Sequence, residues 1–197
     1  SAEAVPQLIV DHTSVDAFDD IPVEWINHVK TMLIQYVGQS HGRQLPYGLE
    51  LLEAQNPQYG VQIGYNPNDM TEEGVLKVER SWYSPVYGWR STHVDDSYYW
   101  STENGRQITY NTSFQAISED HAFYLSLWCW CWDIASPSSF YSQSDDFTEA
   151  DLQTYVNAIN SFNNNEDINV TKFIYHTSVT DTQVNERGWR VTYMNDL

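Results

Sequence analysis

MLIQYVGQSHG, residues 32–42, is the stretch whose reading decides the fold. Met32 to Val37 is an apolar run too short for a helix and rich in branched and aromatic side chains, so it reads as a buried strand. Gly38 and Gly42 break that run and enclose Gln39, Ser40 and His41 in a tight turn. A helix is expected after the turn, from about Tyr47 to Gln55. The order strand, polar turn, helix is the opening unit of an α/β protein.

Working outward, the other segments repeat that alternation. Residues 7–11, QLIVD, read as a strand that ends at Asp11-His12-Thr13-Ser14. Asp19-Asp20 stand before Ile21-Pro22 as acidic capping residues, and a helix to about Lys30 puts Ile21, Trp25, Ile26 and Val29 on one face. Downstream, YGVQIGY and GVLKVE are candidate strands, and Asn104-Gly105 signals a tight turn. Ala122 to Trp132 is expected to be a central strand buried on both faces. Phe147 and Leu152 flank Thr148 as a hydrophobic staple for a helix whose stripe is Leu152, Tyr155, Val156, Ile159 and Phe162. Asn169 to Tyr175 is a last strand, ending at His176-Thr177-Ser178. These elements predict one domain over residues 1–197, an α/β three-layer sandwich with a mainly parallel sheet.

Composition narrows the partners. The chain has 197 residues with 9 Lys+Arg against 27 Asp+Glu, a formal net charge of −18. Nucleic acid is excluded as a partner, because affinity for it comes mainly from cations that neutralise phosphates. An anionic membrane surface is disfavoured for the same reason, and no apolar run approaches the roughly 18–20 residues of a membrane span. The first residues, SAEAVPQ, have neither the charged nor the apolar region of a signal peptide. Few lysines and many Trp and Tyr suit a secreted protein that meets carbohydrate. Cys129 and Cys131, in WCWCW, read as buried thiols, since a bridge between residues two apart in a strand is strained. Asn111-Thr112-Ser113 and Asn169-Val170-Thr171 are glycosylation sequons.

In a parallel α/β sheet, ligands bind beyond the carboxyl ends of the strands. The expected strands bring His12, Ser40, Asp133 and His176 to that edge. A serine nucleophile needs an adjacent base and a carboxylate that orients the base. Ser40, on a tight strand-to-helix turn with backbone N–H groups beside it, is the candidate nucleophile. His176 or His12 is the candidate base and Asp133 the orienting carboxylate.

The motif G-Q-S-H-G after an early strand resembles the nucleophile block of the SGNH/GDSL-type hydrolases, in the GQS form of carbohydrate O-acetylesterases. The pieces HTSVDAFDDIPVEWI, YVGQSHGRQLPYGLELL, GWRST, WCW and KFIYHTS resemble an uncharacterised secreted bacterial subgroup of that superfamily, spread over residues 11–178. The resemblance implies a flavodoxin-like strand order and a serine esterase acting on acylated carbohydrate, without cofactor or metal. It places Ser40 as the attacking group and Gly38, Gln39 and neighbouring backbone around the oxyanion. Gln39 stands where the superfamily has Asp, no Asn stands in WCWCWD, and no His follows Ser178. The usual terminal strand and its Asp-x-x-His block therefore have no counterpart here.

Those departures motivate a second reading: a non-catalytic extracellular protein of the same fold that binds glycan or self-assembles. Both readings draw on the aromatic segment 82–100, a sugar-stacking platform or core packing. Candidate substrate-binding residues are Gly38, Gln39, His41, Trp89, Arg90 and Trp132. Arg90 is positioned to clamp a carboxylate or to pair internally. The oxygen-rich stretches 66–69, 95–96 and 145–146 lack the calcium-loop spacing and read as solvated acidic loops.

Overall fold

The computed structural model describes residues 12–38, 40–85, 88–91, 102–113, 123–128, 149–163 and 171–175. Its elements are a 3-10 helix His12–Asp20, α1 (Val23–Val29), β1 (Leu33–Val37), a 3-10 turn Ser40–Arg43, α2 (Gln44–Gln55), β2 (Val61–Gly64), β3 (Leu76–Glu79), β4 (Ser81–Ser84), β5 (Gly88–Ser91), α3 (Glu103–Ile108), β6 (Leu125–Trp128), α4 (Glu149–Asn163) and β7 (Lys172–Tyr175). The protein is α/β, with a five-stranded sheet in the order β2-β3-β1-β6-β7 and a separate β4-β5 hairpin. Every pairing in the five-stranded sheet is parallel.

Alternation along the strands divides the sheet into two chemically different faces. One carries Tyr36, Val61 and Val78, with Ile34, Ile63, Leu76 and Leu127 packed around them. Leu49 of α2 packs on this cluster, which is how the helix after the turn is fixed to the sheet. The residues between them in sequence, Gln35, Glu79 and Ser126, form the other face and are fully buried. They are in register across β3, β1 and β6, with Gln35 opposite both Glu79 and Ser126. The hairpin lies against this polar row, because β4 begins one residue after β3 and its first carbonyl, that of Ser81, accepts a hydrogen bond from Gln35 Nε2 at 2.7 Å. Trp82, the next residue, is fully buried.

Several expectations need correction. Helix α1 forms where its periodicity predicts, but its N-cap is Pro22 with no side-chain cap bond, so Asp19 and Asp20 do not cap it. They end the 3-10 helix His12–Asp20, and the strand expected at residues 7–11 lies outside the described residues. Helix α2 begins at Gln44, a turn before Tyr47. Pro46 is accommodated because a first-turn N–H has no intrahelical acceptor to lose. Asn104-Gly105 is not a hairpin turn: Thr102 Oγ1 accepts from Gly105 N at 3.0 Å and caps α3, so N-capping overrides the turn signal. Asn56 and Asn66 each precede a proline and accept from the backbone two residues on, at 3.0 Å. The 66–69 stretch is thus a capped 3-10 turn. Among the described residues no helix is long and apolar enough to cross a membrane.

Candidate functional site

Because the five strands are parallel, their carboxyl ends share one edge, and β1 leaves it at Gly38. The next described residues, Ser40 to Arg43, form one turn of 3-10 helix that runs straight into α2. Gly42 lets that turn approach Tyr36 closely: a Cβ there would lie 3.2 Å from Tyr36 Cε1, so the ring would have to give by a few tenths of an ångström. The turn therefore rests on the ring of a core tyrosine. Gly38 is also tethered, since Arg80 Nη2 donates to its carbonyl at 3.5 Å.

Arg80 follows β3 and is only 3 % exposed. Its guanidinium carbon lies 5.9 Å from the centroid of the Tyr65 ring, within cation–π range. Burial lowers its pKa from the ordinary value; the phenol of Tyr65 opposes that shift and the nearby Arg43 adds to it. Both arginines line an open cleft of about 350 Å³ at the carboxyl edge, with Tyr47, Glu50, Ile63 and Tyr65. The GQSHG turn and this cleft are thus one region, joined through Arg43 at the end of the turn and Arg80 beneath its start.

On the other face, the buried polar row is a connected network. Trp128 Nε1 donates to Ser126 Oγ at 2.9 Å, and Ser126 Oγ donates to Gln35 Oε1 at 2.6 Å. Gln35 continues to the Ser81 carbonyl, and the Ser81 hydroxyl donates to Glu79 Oε1 in a short contact. The network stops at Glu79 Oε2, which is buried without a hydrogen-bond partner among the described residues. Burial is the main reason that this carboxyl is raised from 4.5 to about 7, outweighing the Ser81 hydroxyl, the Ser81 backbone N–H and the Arg80 charge.

Of the residues singled out from sequence, Gly38, Ser40 and His41 are brought together in the turn. His12 opens the long 3-10 helix, and six residues on, Phe18 packs on Tyr59, which precedes β2, with ring centroids 5.4 Å apart. That contact carries the helix to the amino edge of the sheet. Trp89 is half-buried in the hairpin, its ring against Tyr83 at 5.4 Å and Phe123 at 5.8 Å. Those contacts pack one side of the ring within the hairpin region. Arg90 is the cross-strand partner of Trp82. Gln39, Trp132, Asp133 and His176 lie outside the described residues, as do Cys129, Cys131 and Asn169. Asn111 of the other sequon is exposed, with its amide donating to Gln107 Oε1 at 3.2 Å.

Sequence reading missed Arg43, Tyr65, Glu79, Arg80 and Ser81. The signal that could have found the last three was Glu79-Arg80-Ser81 itself, a charged pair at the end of an apolar strand and therefore at the ligand-binding edge. Among the described residues no group of three His, Cys, Asp or Glu is arranged to hold a metal. No family model, curated protein or solved structure gives a significant match to the chain.

Proposed function

We propose that the protein is an SGNH-like serine esterase that removes acyl groups from carbohydrate outside the cell. The observation that carries this reading is the position of Ser40: it opens a one-turn 3-10 helix immediately beyond β1, at the carboxyl edge of a parallel sheet and beside an open cleft. This is the setting in which a hydroxyl is presented to substrate with backbone N–H groups close by. The strand order supports the superfamily assignment. Without the edge strand β2, the remaining four strands run β3-β1-β6-β7, or 2-1-3-4 in chain order, as a flavodoxin-like sheet begins. The full five-strand order is 2-3-1-4-5, so β2 is an addition at the edge beside β3. Right-handed crossovers from β1 to β2 through α2 and from β6 to β7 through α4 run in opposite directions along the sheet. They therefore call for helices on both faces, a three-layer sandwich.

In this reading Ser40 attacks the ester carbonyl, and Gly38, Gln39 and adjacent backbone surround the oxyanion. His176 takes the serine proton and Asp133 orients that histidine. The register supports His176 over His12. Tyr175, which precedes His176, pairs with Trp128, and Trp128 pairs with Val37, so β7 ends two strand spacings, about 10 Å, from β1.

The test is hydrolysis of a short-chain aryl ester by the purified chain. Wild-type turnover that Ser40→Ala abolishes, with loss of labelling by a serine-directed phosphonate, is the expected result. Activity retained in Ser40→Ala removes this serine from the mechanism. An inactive, unlabelled wild type that still binds glycan selects the non-catalytic alternative.

A further inference from the structure

The cleft beside the GQSHG turn has a charge that the chain as a whole does not. Only 9 of 197 residues are Lys or Arg, against 27 acids, yet two of those nine line this one cleft. They arrive from separate elements, Arg43 from the turn before α2 and Arg80 from the residue between β3 and β4. Arg43 is exposed, whereas Arg80 is almost fully buried and held in place by the Gly38 carbonyl and the Tyr65 ring. Bringing two guanidinium groups together costs energy through like-charge repulsion, and burying one of them adds a desolvation cost. Planar guanidinium pairs with the two oxygens of a carboxylate, and two such groups on one cleft lining offer an anion both of their charges.

The geometry points to this cleft as a binding site for the carboxylate of an acidic sugar, with Arg43 and Arg80 as its anion ligands. Glu50, on the same lining, and Tyr47, exposed at the rim, supply groups for the sugar hydroxyls and ring. The inference rests on the esterase reading for its substrate class, making the preferred substrate an acylated uronate-type glycan. The anion site itself does not depend on chemistry at Ser40. The molecule's negative charge repels acidic glycan at long range, so a local cationic pair gives selectivity that the overall field opposes.

The test is an NMR titration of the whole chain with glucuronate, with glucose and inorganic sulfate as comparators. The expected result is saturable binding of glucuronate, weakened by added salt, with glucose and sulfate both weaker. Arg43→Gln, at an exposed position that leaves the fold intact, should weaken glucuronate binding roughly tenfold, the size of one charge-assisted hydrogen bond. Arg80→Gln should weaken it at least as much. Glucose binding as well as glucuronate, or an Arg43→Gln variant that binds glucuronate like wild type, overturns the proposal. Preferential binding of sulfate overturns it in favour of a sulfated ligand. Ser40→Ala separates the two readings: glucuronate binding with no esterase activity in wild type leaves the anion site standing and removes the enzyme.

Discussion

Replacing Glu79 by glutamine should make the protein more stable, and by an amount that depends on pH. The carboxyl is buried on the polar face of the sheet, one oxygen accepting from Ser81 and the other without a partner among the described residues. Burial raises it from an ordinary 4.5 to about 7. Between those values the native state holds a proton that the unfolded chain has released. Stability from this group is therefore complete below pH 4.5, falls as pH rises, and levels off above about 7. Each pH unit of that window is worth about 1.4 kcal/mol, so the loss amounts to roughly 3 kcal/mol.

The side chain introduced by Glu79→Gln has the same shape and no charge to desolvate. Urea unfolding of both proteins, followed by tryptophan fluorescence from pH 4.5 to 8, checks this directly. The difference in unfolding free energy, variant minus wild type, should climb by about 3 kcal/mol across the window and then stay flat. Taking the difference cancels the other acids, which titrate alike in both proteins. A constant offset at every pH, with unchanged m-values, would refute the reasoning and mean that Glu79 is ionised in the native state throughout.

Two further outcomes test the two sheet faces separately. Ser126→Ala removes the hydroxyl shared by Trp128 Nε1 and Gln35 Oε1, stranding both in a buried site, and should cost about 2–3 kcal/mol in chemical denaturation. Val78→Ala, at a fully buried site in the cluster with Tyr36 and Val61, should cost about 2–3 kcal/mol without altering pH dependence.

The parts of this fold legible in sequence are those that local pattern determines. Strand β1 was readable from MLIQYV, and β2, β3, β6, α1, α2, α4 and β7 from comparable periodicity, although periodicity did not fix burial: α1 forms with Val23, Trp25 and Val29 exposed. Glu79 shows why the polar face was not. In LKVE the alternation of Leu76 and Val78 with Lys77 and Glu79 is the pattern of a strand with one face in water. The β4-β5 hairpin covers the end of that face, and such coverage is a long-range fact that period-two spacing does not encode. Asn104-Gly105 failed for a different reason, since Thr102 two residues earlier supplied a cap that converted a turn signal into a helix start. The pairing of Arg43 with Arg80 was invisible because it joins segments far apart in sequence across two neighbouring strands of the sheet.

The step from Glu79 to Arg80 links the two faces. Successive residues at a strand end point to opposite sides, so the carboxyl enters the hydrogen-bonded row under the hairpin and the guanidinium enters the cleft under α2. Arg80 then acts on two things at once, the Gly38 carbonyl that begins the GQSHG turn and the charge of the cleft wall. Arg43 contributes charge to the cleft from the far end of the turn, and no contact described for it holds Gly38. Substitution of Arg80 must therefore disturb turn geometry and anion affinity together, whereas substitution of Arg43 isolates the charge. A variant pair in which Arg80→Gln impairs ester turnover on neutral and acidic substrates alike, while Arg43→Gln impairs it on acidic ones alone, would place the turn and the cleft in one site with separable roles.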